Sequence, residues 1–394
     1  MPRRSAQCPS TPALPRRPPI RRRQALVTVL AVALGLLATV AALPVAALEL
    51  ADQRFEFHHE EATLQIPVAA NRPIHRPDPA IERLVILVHG LNSNAVGYFA
   101  TTRRAAVVAR REDTTLIVAP QFIQQSRLAD QRAFLHWSVS PFWGSWRGIN
   151  GAADPPEPVR VSAFDALDRL LEATTDPSRF PNLRHVVVAG HSAGGQMIAR
   201  YAAANRFDRP GRKPASIELS YLVMAPSSCL YFDRHRPSTA APGDQRRDRR
   251  GRDRSNGDGD SEHEPARFIV PDDPPERYNR YGYGLDDLHG YLRQTGAEVM
   301  REQFARRRVD YLVGALDNDN DGANLANGPA AMWQGRNRLE RLQHYHAYLA
   351  FHFGPEIHRR HRLTIVPEAG HRSADLILST AGLNLLFDAA IGSE

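Results

Sequence analysis

The sequence has very little cysteine and almost no lysine. Of its 394 residues two are cysteines, Cys8 and Cys229, and a single thiol in the body of the chain closes no internal disulfide. Stability must come from an ordinary buried core. Lys213 is the sole lysine, so positive charge is carried by arginine, a trait of composition rather than of function. Hydrophobic residues make up 42% and charged residues 24%, which excludes a fibrous or a wholly disordered chain and leaves room for one large α/β domain or two ordinary ones.

Acid is missing altogether from residues 1–48, which hold seven arginines (Arg3, Arg4, Arg16, Arg17, Arg21, Arg22 and Arg23) and no lysine. That stretch accounts for the whole formal charge of +7. The rest of the chain is formally neutral, which removes most of the case for a nucleic-acid binder. An apolar run over 25–48 follows Gln24 and ends in small residues around Ala47. A basic flank, an apolar middle and a small-residue end predict an export signal over 1–47, cleaved after Ala47, with a retained amino-terminal membrane anchor as the alternative. Either outcome places the body outside the cytoplasm, periplasmic or extracellular, and a membrane is a partner only if the leader is kept. The Arg22-Arg23 pair resembles a twin-arginine signal.

Beyond the leader, 55–67 alternates as an opening pair of strands. Continuous apolar, β-branched runs over 83–90, 114–120, 185–190, 218–226, 310–316 and 363–367 predict buried strands. Helical spacing separates them over about 95–111, 161–173, 193–204, 284–307, 330–352 and a last stretch to about 387. Strands alternating with helices predict a mainly parallel sheet covered on both faces. Residues 233–275 break the pattern: they are rich in proline, glycine, serine, aspartate and arginine, with R-R-D-R-R-G-R-D-R over 246–254 and an acidic run over 258–264. This segment reads as a disordered, solvated insertion in a single domain spanning 48–394, with an electrostatic tether as its functional alternative.

The sharpest motif is Gly190-His191-Ser192-Ala193-Gly194-Gly195. Between a strand and a helix it predicts a nucleophile elbow, with the Ser192 hydroxyl at a helix N-terminus and the Ala193 N–H aimed at a developing oxyanion. A serine hydroxyl needs an imidazole to take its proton and an acid to orient that imidazole. His371 follows the last strand in V-P-E-A-G-H and is the expected base. His344, His346, His352, His358 and His361 lie on or beside a helix with no cysteine or carboxylate cluster, so zinc is disfavoured. Asp317 comes first after a strand in L-D-N-D-N-D-G and is the expected orienting acid, with Asp319 and Asp321 behind it. The same residues open like an EF-hand calcium loop, but the twelfth position is Gly328 and the preceding run reads as strand. His89-Gly90-Leu91-Asn92 ends the first parallel strand, and the Leu91 N–H is the expected second oxyanion donor, Asn92 the side-chain alternative. No cofactor or metal is implied. Trp137, Trp143 and Trp146 cluster in one loop-like stretch as lining of an acyl or aryl pocket or as core.

These motifs, in the order serine, acid, histidine, resemble the α/β-hydrolase superfamily. P-S-S-C-L-Y over 226–231, Y-N-R-Y-G-Y-G-L over 278–285 and Q-G-R-N-R-L-E-R over 334–341 resemble bacterial secreted serine hydrolases and esterases more narrowly, and the arginine-rich insertion departs from them. The resemblance implies an α/β-hydrolase fold and acyl-enzyme hydrolysis of a small-molecule or polymeric carboxylic ester. A peptidase, thioesterase or polyester depolymerase with the same residues and a non-catalytic binding module are its rivals.

Overall fold

The computed structural model describes residues 48–238 and 267–389, apart from 129, 131, 139, 141, 143, 145, 146 and 323. The expected leader over 1–47 lies outside the described residues, and among those described no helix is long and apolar enough to cross a membrane.

Eight strands form the main sheet: β1 (Gln53–His59), β2 (Ala62–Ala70), β3 (Arg83–Val88), β4 (Thr115–Pro120), β8 (His185–His191), β9 (Glu218–Met224), β12 (Arg308–Gly314) and β13 (His361–Val366). Their spatial order is β1-β2-β4-β3-β8-β9-β12-β13. β1 and β2 pair antiparallel, as do β2 and β4, and every later pairing is parallel. β3 is buried at all six positions, so its unbroken R-L-V-I-L-V needs cover on both faces. Helices supply it: α1 (Ala95–Val108), α2 (Ala163–Thr174), α3 (Ala193–Ala204), α4 (Gly290–Thr295), α5 (Ala297–Arg306), α6 (Pro329–Met332), α7 (Arg338–Phe353), α8 (Ser373–Ile377) and α9 (Thr380–Phe387). Each residue of α3 is buried, which is why its sequence is made so largely of alanine and glycine. α2 begins at a capping box in which Ser162 and Asp165 satisfy each other's backbone N–H groups, as a helix with free amino-terminal donors requires.

Three local differences from the expected pattern have physical causes. The stretch around Trp137 is not plain loop: β5 (His136–Trp137), β6 (Gly148–Asn150) and β7 (Glu157–Val159) make a small antiparallel sheet. Trp137 is fully buried, its ring 5.7 Å from that of Phe122, so it is core, while Trp143 and Trp146 lie outside the described residues. The helix expected over 330–352 is two helices, because Gly335 between them takes φ 142°, a conformation that side chains avoid. The insertion expected over 233–275 also has ordered flanks. β10 (Arg236–Pro237) pairs antiparallel with β11 (Phe268–Ile269), and buried Arg236 lies between the rings of Tyr231 and Tyr278, 4.2 and 5.1 Å from their centroids. Residues 239–266 lie outside the described residues.

Candidate active site

β8 ends at His191 and α3 starts at Ala193, so Ser192 makes the whole turn. It has φ 57° and ψ −117°, a conformation that costs a non-glycine residue about 1–3 kcal/mol and is held by its surroundings. The Ser192 N–H donates to the Met224 carbonyl at 2.9 Å, and its carbonyl accepts from the Gln196 N–H at 3.0 Å. The flanking glycines are required by close backbone approach. A Cβ on Gly190 would sit 2.3 Å from the Gly194 oxygen, and one on Gly194 would sit 2.3 and 2.5 Å from the Val88 and His89 oxygens. Helix α3 therefore packs directly on the ends of β3 and β8, with the Ala193 N–H in its first turn.

The partners arrive from the far side of the sheet. After β12, the Ala315 and Leu316 N–H groups donate to the Val366 and Ala369 carbonyls, both at 2.9 Å, tying the acid-bearing turn to the histidine-bearing one. His371 Nδ1 lies 2.8 Å from Asp317 Oδ2, and His371 Nε2 lies 3.1 Å from Ser192 Oγ. Because a carboxylate only accepts, the proton is assigned to Nδ1, which leaves Nε2 to accept from the serine hydroxyl. Asp317 is 4% exposed and the His371 side chain 31%: the acid is shielded from water while the imidazole remains reachable. Asp319 and Asp321 are exposed and bond each other's loop, Asp319 Oδ1 accepting from the Asp321 N–H at 2.9 Å. Among the described residues no group of three potential metal ligands converges.

The expected oxyanion turn is set by a histidine. His89 is fully buried, with Nδ1 2.8 Å from the Gly90 carbonyl and Nε2 accepting from the Phe122 N–H at 3.0 Å. Burial pushes its pKa down to about 4, so it stays neutral, with its proton on Nδ1 and donated to Gly90. That peptide is planar and trans, so the Leu91 N–H points opposite to the Gly90 carbonyl. A Cβ on Gly90 would lie 3.6 Å from the Ser192 Cβ, which places this turn beside the elbow. The Asn92 side-chain oxygen accepts from exposed Arg127 at 3.2 Å.

Sequence reasoning missed the residues that hold the acid. Buried Arg338 lies 3.4 Å from Asp317 Oδ1, the Leu339 N–H donates to the Asp317 carbonyl at 3.2 Å, and Asn337 donates to Asn320 at 3.0 Å. All three belong to Q-G-R-N-R-L-E-R. In the same run Gln334 bonds both the N–H and the carbonyl of Cys229, at 2.7 and 2.9 Å, and Arg341 donates to the Ser227 carbonyl. The Tyr231 N–H in turn donates to the Tyr283 carbonyl, and buried Arg200 of α3 donates to the Gly282 carbonyl and to Ser228. The three motifs singled out by resemblance thus bond to one another as a scaffold behind the turns. The signal was their arginine, asparagine and glutamine content near the ends of strands, which spacing alone cannot pair. The remaining candidate histidines bond carbonyls, or in one case a carboxylate: His346 to His361, His358 to His346, His361 to Phe304, His344 to Gln334 and His352 to Asp233.

No protein-family model matches the chain, and no curated protein does. Solved structures do. The poly(3-hydroxybutyrate) depolymerase LpqC from Bordetella parapertussis is 18% identical over 88% of this chain and 93% of its own, with a TM-score of 0.51. Poly(aspartic acid) hydrolase-1 from Sphingomonas sp. KT-1 is 17% identical over 86% and 99%, with a TM-score of 0.48. An S-formylglutathione hydrolase from Agrobacterium tumefaciens is 14% identical over 84% and 90%, at 0.37. Identities this low speak to architecture only. Strand order, elbow and the match to LpqC agree that the chain has the α/β-hydrolase fold.

Proposed function

We propose that the protein is an exported serine hydrolase that cleaves a carboxylic ester through an acyl-enzyme intermediate. The observation that carries this reading is the chain of hydrogen bonds from Ser192 through His371 to Asp317, 3.1 and 2.8 Å long, at the ends of three parallel strands. In this mechanism His371 Nε2 takes the Ser192 proton as Oγ attacks the ester carbonyl. The imidazolium so formed is stabilised by Asp317 and gives its proton to the leaving alcohol. Water, deprotonated by His371 in its turn, then releases the acid from Ser192. The N–H groups of Leu91 and Ala193 hold the oxyanion in both halves, with the Asn92 side-chain N–H as the alternative to Leu91. Every step is supplied by side chains and backbone of this chain.

The ester preference rests on the surroundings. Leu91, beside the oxyanion turn, and Leu316, beside the acid, are 39% and 61% exposed, offering apolar contacts to an acyl chain. The neighbour LpqC is a poly(3-hydroxybutyrate) depolymerase, and the same reaction on a polymeric ester is the second reading. Export rests on the leader of seven arginines and one apolar run, and amino-terminal sequencing of the exported protein tests it. The enzyme is expected to hydrolyse short-chain p-nitrophenyl esters and to take a fluorophosphonate label on Ser192. Ser192→Ala is expected to lower kcat by at least about a thousandfold with an unchanged melting temperature. Wild-type protein that is not labelled would instead favour a binding module on a hydrolase scaffold.

A further inference from the structure

Tyr98 lies on α1, a helix that contributes nothing to the Ser192–His371–Asp317 chain, yet its hydroxyl sits among the loops that carry the reaction. The oxygen is 2.7 Å from His191 Nδ1. A Cβ on Gly90 would come within 2.9 Å of it. Gly90 belongs to the oxyanion turn and His191 to the elbow, so one atom lies against both, and the His191 ring in turn lies against that of His371.

The direction of the protons follows. Burial raises the Tyr98 pKa above the usual phenol range, so the phenol keeps its proton and donates it to His191 Nδ1. His191 is 3% exposed, and burial, reinforced by His371 and Arg338, holds its pKa well below the usual imidazole range. Its neutral ring lies against that of His371, centroids 4.8 Å apart and planes 37° apart. A charged ring there would oppose the imidazolium that acyl transfer requires.

We propose that Tyr98 is a positioning residue: its hydroxyl keeps the oxyanion turn and the elbow in one register and fixes the His191 ring behind His371. This rests on the hydrolase reading for its consequence in catalysis but not for its consequence in structure. Tyr98→Phe keeps the ring and removes only the oxygen. Its kcat on a p-nitrophenyl ester is expected to fall about tenfold with KM within about twofold, since misplacement of reacting groups acts on the chemical step. Amide hydrogen exchange of the full chain is expected to quicken together in 89–92 and 190–193, with β3, β9 and residues 185–189 of β8 unchanged. Exchange that is unchanged in either segment, or faster throughout the sheet, overturns the proposal, as does an unaltered kcat. If wild-type protein hydrolyses no ester, the proposed function fails while the exchange pattern still decides the role of Tyr98. Should Tyr98→Phe not fold, His191→Gln removes the acceptor of the Tyr98 hydroxyl and is expected to quicken 89–92; no change there also overturns it.

Discussion

The two halves of the site are held by different forces. On the Ser192 side the turn is fixed by backbone packing: glycines at 190 and 194 let carbonyls approach to distances no Cβ allows, and strand runs straight into helix. On the Asp317–His371 side the turns after β12 and β13, joined by backbone bonds, are also held by side chains at the start of α7, Arg338 and its N-cap Asn337, which approach Asp317 and Asn320. The first half rests on backbone groups and the second adds polar side chains. A half held by backbone packing tolerates side-chain change in distant helices, whereas a half held by polar side chains inherits the cost of every partner it loses.

The comparison is broken most directly at the acid. Asp317→Asn is expected to lower kcat by about ten-thousandfold, because the amide no longer holds His371 in the right tautomer. Asp319→Asn and Asp321→Asn are expected to stay within about twofold of wild type, as exposed changes do. Equal, mild losses at all three positions in the same ester assay would refute the assignment of Asp317.

A stability measurement separates the two kinds of support. Arg338→Met leaves a buried carboxylate without its ion pair, and urea unfolding is expected to show a loss of about 3–5 kcal/mol. Gly194→Ala forces a methyl group against two carbonyl oxygens 2.3 and 2.5 Å away, and overpacking of this kind costs about 3 kcal/mol. The two variants should differ in fluorophosphonate labelling. Gly194→Ala is expected to slow labelling of Ser192 by distorting the elbow itself, more than Arg338→Met does.

Acid titration sharpens the contrast further. His89 has its pKa lowered to about 4 by burial, from 6.5. The unfolded chain therefore takes up a proton that the folded chain refuses between those values, and stability is highest above pH 6.5 and falls as pH drops toward 4. The loss from this one group is up to about 3 kcal/mol. His89→Gln is expected to lose less stability than wild type between pH 7.5 and 4.5, and urea curves with equal losses would show that His89 does not set the turn. His346 and His361, also lowered to about 4 by burial, act in the same window, so the difference between proteins is the quantity to read. The smallest effect is expected from Asn92→Ala. Asn92 is exposed, and kcat should change by less than about twofold; a hundredfold loss would assign the second oxyanion donor to its side chain instead of the Leu91 N–H.

Much of the fold was legible in the chain because its strands are continuous apolar runs and its helices fall between them. The helix over 193–204 matches in full, and β8 is found within a residue of its expected end. Misreadings gathered where tertiary contacts override local pattern: the small sheet around Trp137, the break at Gly335 and the ordered flanks of the insertion. The same division runs through the site. Ser192, His371 and Asp317 could be named from motif and position after a strand, but what Tyr98, His89 and Arg338 hold could not be read there. A tyrosine in a helix, a histidine before a glycine and an arginine in a polar run carry no sign of which loop they meet.

What the sequence determined by itself was therefore the alternation of strands and helices, an acid-free basic stretch over 1–48 that accounts for the net charge of +7, and a glycine-flanked serine between a strand and a helix. These are properties of neighbours along the chain, fixed by composition and by periodicity. The tertiary structure decided which of three aspartates faces His371, which turn lies beside Ser192, and which buried arginine lies against Asp317. Those depend on groups between 21 and 179 positions apart meeting within 3.4 Å, and only the closed sheet, with its helices packed on it, brings them there.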